Sequence, residues 1–124
     1  MNEINLVLPP VPSVNQLYAT FRGHRIMSRK GKTYKAGAGV MANYEKTAQK
    51  WVYSIGHKIV MELRFFWPDR RKRDCDNSLK LLQDSFTGIL YDDDKWVLPR
   101  VMDWNLDREN PRVEIKLWRF DESV

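Results

Sequence analysis

The chain has 124 residues, 43% hydrophobic and 30% charged, enough for one modest core and too little for a second domain. Its net charge of +5, from 21 Lys and Arg against 16 Asp and Glu, suits a polyanionic partner but equally an ordinary soluble surface. A lone cysteine, Cys75, rules out an internal disulfide; two distant histidines, His24 and His57, argue against a Cys/His zinc site; and no apolar run has the length of a membrane span or the form of a signal peptide, so the cytoplasm is the expected location.

Ile4 to Leu8 reads as a strand closed by Pro9, Pro10 and Pro12, which cannot extend a ladder. Ser13 to Gln16 follows as a turn or short helical piece. From Phe21 to Lys35 the chain is basic and punctuated by glycine, as in an exposed loop or hairpin. The stretch from Val40 to Ile55 predicts a helix. Val40, Tyr44, Ala48, Trp51 and Ile55 recur at steps of three or four, and this face, with Tyr44 and Trp51, is expected in the core. Lys58 to Trp67 alternates like a strand and ends at Pro68. Asn77 to Thr87 predicts a second helix, with Leu79, Leu82, Phe86 and Ile89 as its buried stripe. Asp76 or Asn77 is its expected cap and Gly88 its terminator. Trp96–Trp104 and Val113–Phe120 read as strands joined by a turn over Asp107–Pro111. The order predicts an α+β fold: a two-layer single domain over residues 1–124, with a mixed four-stranded sheet and two main helices on one face.

The chemistry concentrates in two places. Arg70, Arg71, Lys72 and Arg73 run together and are followed by Asp74-Cys75-Asp76. In extended chain, residues two apart point the same way, so Asp74 and Asp76 would converge on one cation. Carboxylate oxygens in an incomplete cage suit Mg²⁺, and the neighbouring cations suit a phosphate backbone. Further on, Asp76, Lys80 and Asp84 are spaced i, i+4, i+8 and share a helical face. Lys80 could hold a phosphate there, although a plain surface ion pair needs nothing more. The second place is Asp92-Asp93-Asp94, which alone reads as a solvated turn. Joined with Asp74 and Asp76, it completes a divalent site whose ion activates water for phosphodiester hydrolysis. No Ser/His/Asp or Cys/His set points to a covalent intermediate, and no Walker-type loop points to nucleotide hydrolysis.

Several strings together resemble the RusA family of Holliday junction resolvases, which is widespread in phages and prophages. They are Leu8-Pro9-Pro10 through Asn15, Pro68-Asp69-Arg70-Arg71, Arg73-Asp74-Cys75-Asp76-Asn77 with Lys80 three residues on, and Asp92-Asp93 before a valine-bearing strand. The likeness spans Ile4 to Leu117 and is most specific between Trp67 and Val97. It implies a homodimeric crossover junction endodeoxyribonuclease that makes paired nicks in four-way DNA with Mg²⁺, Mn²⁺ being a substitute. By motif position the catalytic and metal-ligating aspartates are Asp74, Asp76 and Asp93, with Asp92 the alternative, and the functional lysine is Lys80. A third acid, Asp94, departs from the family pattern. Arg70, Arg71, Lys72 and Arg73, together with Lys30 and Lys32, are the expected DNA contacts. A two-fold dimer suits a junction of approximate two-fold symmetry. Two other readings are a nucleic-acid-binding module without catalysis and a nuclease for other branched DNA.

Overall fold

The computed structural model describes residues 2–70 and 75–120. Among them, strands β1 (Glu3–Leu8), β6 (Arg112–Arg119), β4 (Ile59–Trp67) and β5 (Val97–Leu106) lie side by side in that order. β6 runs antiparallel to both β1 and β4, whereas β5 runs parallel to β4. Parallel neighbours need a crossover, and α3 (Cys75–Phe86) provides it. The mixed sheet and the α+β class are therefore as the sequence predicts.

Alternation places the core. Ile4, Leu6 and Leu8 of β1, the odd-numbered residues from Ile59 to Trp67 of β4, and Val113, Ile115 and Leu117 of β6 are all buried. Their alternates are half-buried or exposed, apart from Val60. One cluster joins this sheet face to Ala38 and Ala42 of the first long helix and to Leu81, Leu82 and Phe86 of α3. The two helices form a single layer on that face. A turn after β5 is clamped by Arg112, whose guanidinium bonds Asp107 and Glu114 at 2.9 Å each. Hydrogen bonds from Arg112, then from the Asn110 amide, hold the Asp107 carboxyl below its ordinary range.

The basic segment divides differently from expectation. A short helix α1 (Val14–Leu17) leads into a hairpin of β2 (Tyr18–Phe21) and β3 (His24–Met27). Its two-residue turn has φ 49° at Arg22 and 77° at Gly23, the left-handed pair that tight hairpins require. Helix α2 (Arg29–Ala48) begins immediately afterwards, so Arg29 to Lys35 is helix rather than loop. Ser28 starts it, its hydroxyl oxygen accepting from the Gly31 amide at 3.1 Å. The same hydroxyl donates to the Gln16 carbonyl, tying α2 to α1. Ser28→Ala should cost about 1–2 kcal/mol, read as a lower urea midpoint at unchanged slope.

The expected buried face of this helix is also corrected. Val40 and Tyr44 are 70% and 68% exposed, and Ile55 lies beyond the helix, likewise exposed. The buried positions are Gly31, Ala38 and Ala42. A side chain at Gly31 would sit 2.7 Å from the Leu17 carbonyl oxygen, so the helix rides close on small residues. The chain leaves the helix through Lys50 at φ 58°, and Trp51 reaches the core from the connection that follows.

Candidate metal centre and nucleic-acid interface

Helix α3 begins at Cys75, with Asp76 in its first turn. The extended Asp74-Cys75-Asp76 geometry therefore does not hold at Asp76, which is an early helical residue rather than a cap. Asp74, Arg71, Lys72 and Arg73 lie outside the described residues. Arg70 is exposed just after β4. Leu81, absent from the predicted stripe, is buried beside Leu82 and Phe86, while Leu79 packs at the rim of the core. The opposite face of α3 carries Asp76, Lys80 and Asp84 at successive turns. The first and last are about 12 Å apart along the axis at roughly 1.5 Å per residue.

Gly88, at φ 84°, ends the helical run and turns the chain toward the second acid cluster. That loop is firmly fixed. Tyr91 is wholly buried, and its hydroxyl donates to the Gln83 carbonyl at 2.7 Å, pinning the loop to α3. Burial pushes the Tyr91 phenol far up, so it stays protonated and serves as a structural donor. On the other side, the Ser54 amide donates to the Leu90 carbonyl and the Asp92 amide to the Ser54 carbonyl, both at 3.1 Å. The Trp51 indole donates to Leu90 at 2.9 Å.

The three acids that follow have different surroundings. Asp92 accepts from the Gly56 amide at 3.3 Å. Asp93 precedes a 3₁₀ turn (Asp94–Trp96) and accepts from the Lys95 amide at 2.9 Å. Asp94 is held above the usual carboxylate range, first by desolvation and then by Asp84 and Asp93 close by. The fold thus gathers Asp84, Asp93 and Asp94, bringing an acid from the lysine-bearing face of α3 to the acid run. Asp84 lies outside the residues the sequence nominates as ligands, whereas Asp94 belongs to the nominated acid run but not to the family's ligand pattern. The signal for Asp84 is its place one turn past Lys80.

Among the described residues no three acidic, Cys or His side chains converge closely enough to hold an ion by themselves. The nominated set includes Asp74, which is outside them. The donors present are hard carboxylate oxygens; after desolvation, the neighbouring Asp84 and Asp93 also hold the Asp94 carboxyl above its usual range, and a divalent cation would offset that repulsion. The chemistry of the acids fits Mg²⁺.

The hairpin and α2 form a separate basic surface. Arg22 lies over the exposed Phe21 ring at 5.2 Å and Arg25 over Tyr18 at 4.2 Å. Lys30 and Lys32 are exposed in the first turns of α2, where the helix has no acid to offset its positive end. An open groove of about 570 Å³ runs between them, lined by Ile26, Met27, Arg29 and Lys32 among others.

A small α+β domain with neighbouring carboxylates, a lysine one turn away and a basic aromatic hairpin has the parts of an enzyme that acts on nucleic acid. The family described as "Endodeoxyribonuclease RusA" matches residues 8–118. Similar proteins include "Crossover junction endodeoxyribonuclease RusA" from Escherichia coli K12 and from Shigella sonnei, and its namesake from Enterobacteria phage 82. Each is 32% identical over 106 residues, covering 82% of this chain and 83% of the relative. The chain belongs to the RusA family and is an endodeoxyribonuclease. No helix among the described residues is long and apolar enough to cross a membrane.

Proposed function

We propose that residues 1–124 form one RusA-like domain, a structure-selective endonuclease that resolves Holliday junctions by paired nicking of four-way DNA as a homodimer. Its setting is the cytoplasm of a bacterial host, where it acts as a phage or prophage enzyme. The observation that carries this reading is the approach of Asp94, in the acid run with Asp93, to Asp84 on the helical face that also bears Lys80, in a chain of this family.

Asp74, Asp76 and Asp93 would hold the Mg²⁺, with Asp92 as the alternative third ligand and Mn²⁺ as a substitute ion. Asp84 and Asp94 add negative charge beside them. When bound, the ion supplies an activated water and neutralises phosphoryl charge. The protein does the rest. Lys80 stands between Asp76 and Asp84, so its ammonium can hold the phosphate being cut and offset charge that builds on it. Arg70, Arg71, Lys72 and Arg73 position the strand near the acids. Lys30 and Lys32, beside the hairpin, grip backbone farther off.

A synthetic four-way junction should be nicked in opposed strands with Mg²⁺ present and left whole with a chelator, while linear duplex and single strand are spared. Equal cutting of linear duplex would sink the junction reading, and unimpaired cutting in chelator would sink the metal. Lys80→Ala is expected to slow nicking about 100-fold, roughly 2.7 kcal/mol, while junction binding falls no more than about threefold. Equal losses in both would make Lys80 a simple phosphate contact.

A further inference from the structure

β2 and β3 form a ribbon of their own, apart from the main sheet. Tyr18 and Met27, its first pair, pack against the core. Every residue beyond them, from Ala19 to Ile26, is exposed. The ribbon therefore stands off the body with water on both faces. It nevertheless carries Phe21 and Ile26, which are 56% and 42% exposed.

Paired residues of a ribbon share a face, and faces alternate along it. Ala19 pairs with Ile26, and Phe21 with His24 two residues on, so all four point to one side. Ala19 and Ile26 form one wall of the groove of about 570 Å³ beside α2. Arg29, Lys32, Thr33 and Ala36 of α2 form the other. The volume falls in the range of small-molecule sites, roughly 300–1,000 Å³. Both walls spring from one joint. The Ser28 amide donates to the Leu17 carbonyl at 2.7 Å, below the first ribbon pair, and α2 begins at the next residue. An apolar wall that continues outward to an aromatic ring thus faces a wall that bears cations.

We propose that this groove seats one unpaired nucleotide of branched DNA, its base lying against Ile26 and Phe21 and its phosphate meeting Arg29 and Lys32. This deepens the reading above, and rests on it for DNA as the substrate, by naming a feature that separates a branch point from plain duplex.

Charge names the class of ligand. Between Glu3 and Glu45 the chain has no Asp or Glu, while Arg22, Arg25, Arg29, Lys30, Lys32 and Lys35 supply six cations. Charge of one sign on this scale draws a polyanion. Cations alone would suit any duplex, because phosphate contacts position a nucleic acid without specifying it. The apolar wall and the ring narrow the choice. In a duplex the base faces are stacked on one another and closed to a side chain. An unpaired base offers its flat face, and aromatic side chains in positive grooves take such bases whatever their sequence. Arg22 lies over the Phe21 ring at 5.2 Å, adding a cation beside the stacking surface. The left-handed turn at Arg22 and Gly23 fixes the tip, so little freedom is lost when a base docks.

The test is equilibrium binding by fluorescence anisotropy, in chelator, of the whole chain to a four-way junction, a linear duplex and a short oligothymidine. Phe21→Ala should weaken the oligothymidine and the junction about tenfold and the duplex less than about twofold. Phe21→Tyr, which keeps a ring, should stay within about twofold of wild type. Ala36→Leu narrows the groove without touching its charge, and should follow Phe21→Ala. Lys32→Ala should weaken all three substrates, because a phosphate contact is lost. Phe21 and Ala36 are exposed, so far-UV circular dichroism should not change. A junction carrying iododeoxyuridine at its branch point should photocrosslink to Phe21. Unchanged oligothymidine binding in Phe21→Ala or Lys32→Ala, a Phe21→Ala loss shared equally by the duplex, or a crosslink outside the ribbon overturns the proposal. Should Phe21→Ala disturb the ribbon, Ala36→Leu and the crosslink decide. A chain that cuts junctions, but whose Phe21→Ala variant binds them as wild type does, sinks this proposal alone. A groove that holds oligothymidine in a chain that cuts no junction sinks the nuclease reading alone.

Discussion

Asp76→Asn is expected to abolish junction cleavage, by about 1,000-fold or more, while leaving junction binding intact or tighter. The substitution keeps the size of the side chain and its place in the first turn of α3, so the fold should not change. It replaces an anionic oxygen donor with a neutral amide, a poor ligand for a hard divalent ion. A factor of 1,000 corresponds to roughly 4 kcal/mol of lost transition-state stabilisation. Binding should move the other way, because one negative charge is removed from a surface that faces phosphates. Nicking followed on a denaturing gel, beside a mobility-shift titration in chelator, separates the two effects. Wild-type nicking in the variant would remove Asp76 from the site.

Phe86→Ala should be among the most damaging single changes to the fold, destabilising it by about 3–5 kcal/mol. That is a large share of the roughly 5–15 kcal/mol by which a domain is stable. Phe86 is fully buried, and its carbonyl accepts from the Ile89 amide at 3.0 Å and the Leu90 amide at 2.9 Å. The backbone at Phe86 thus joins the end of α3 to the start of the acid-bearing loop, and its ring fills the core beneath that junction. Truncation opens a cavity beneath the segment that carries Asp93 and Asp94, so metal affinity should fall with stability. Chemical denaturation measures the first, and Leu82→Met, which nearly conserves volume, is the control expected to lose less than about 1.5 kcal/mol. A loss below about 1 kcal/mol for Phe86→Ala would mean the helix end packs elsewhere.

The sheet was legible in the sequence because its strands alternate cleanly. Ile59 to Trp67 shows that period in its letters, and the buried residues follow it. Helix α2 was not, and the reason is packing by absence. Its contact face is Gly31, Ala38 and Ala42, which give almost no hydrophobic signal, while the bulky Val40, Met41 and Tyr44 face solvent. A reading based on large apolar residues therefore follows the wrong side and runs on to Trp51, a core residue that belongs to the next connection. At the site, residue types and the helical spacing of Asp76, Lys80 and Asp84 could be read directly. The tertiary fact that Asp84 meets Asp94 could not, because it depends on how Gly88 and Tyr91 fold the loop back onto α3.

The place of β6 between β1 and β4 has a consequence for how the molecule is made. Of the described strands, β1 leaves the ribosome first, yet the only ladder it joins is with β6, which leaves last. Pairing so distant in sequence delays closure of the sheet and slows folding. Until β6 arrives, the apolar side of β1 has no strand beside it. The nascent chain is most open to aggregation or chaperone capture during that interval.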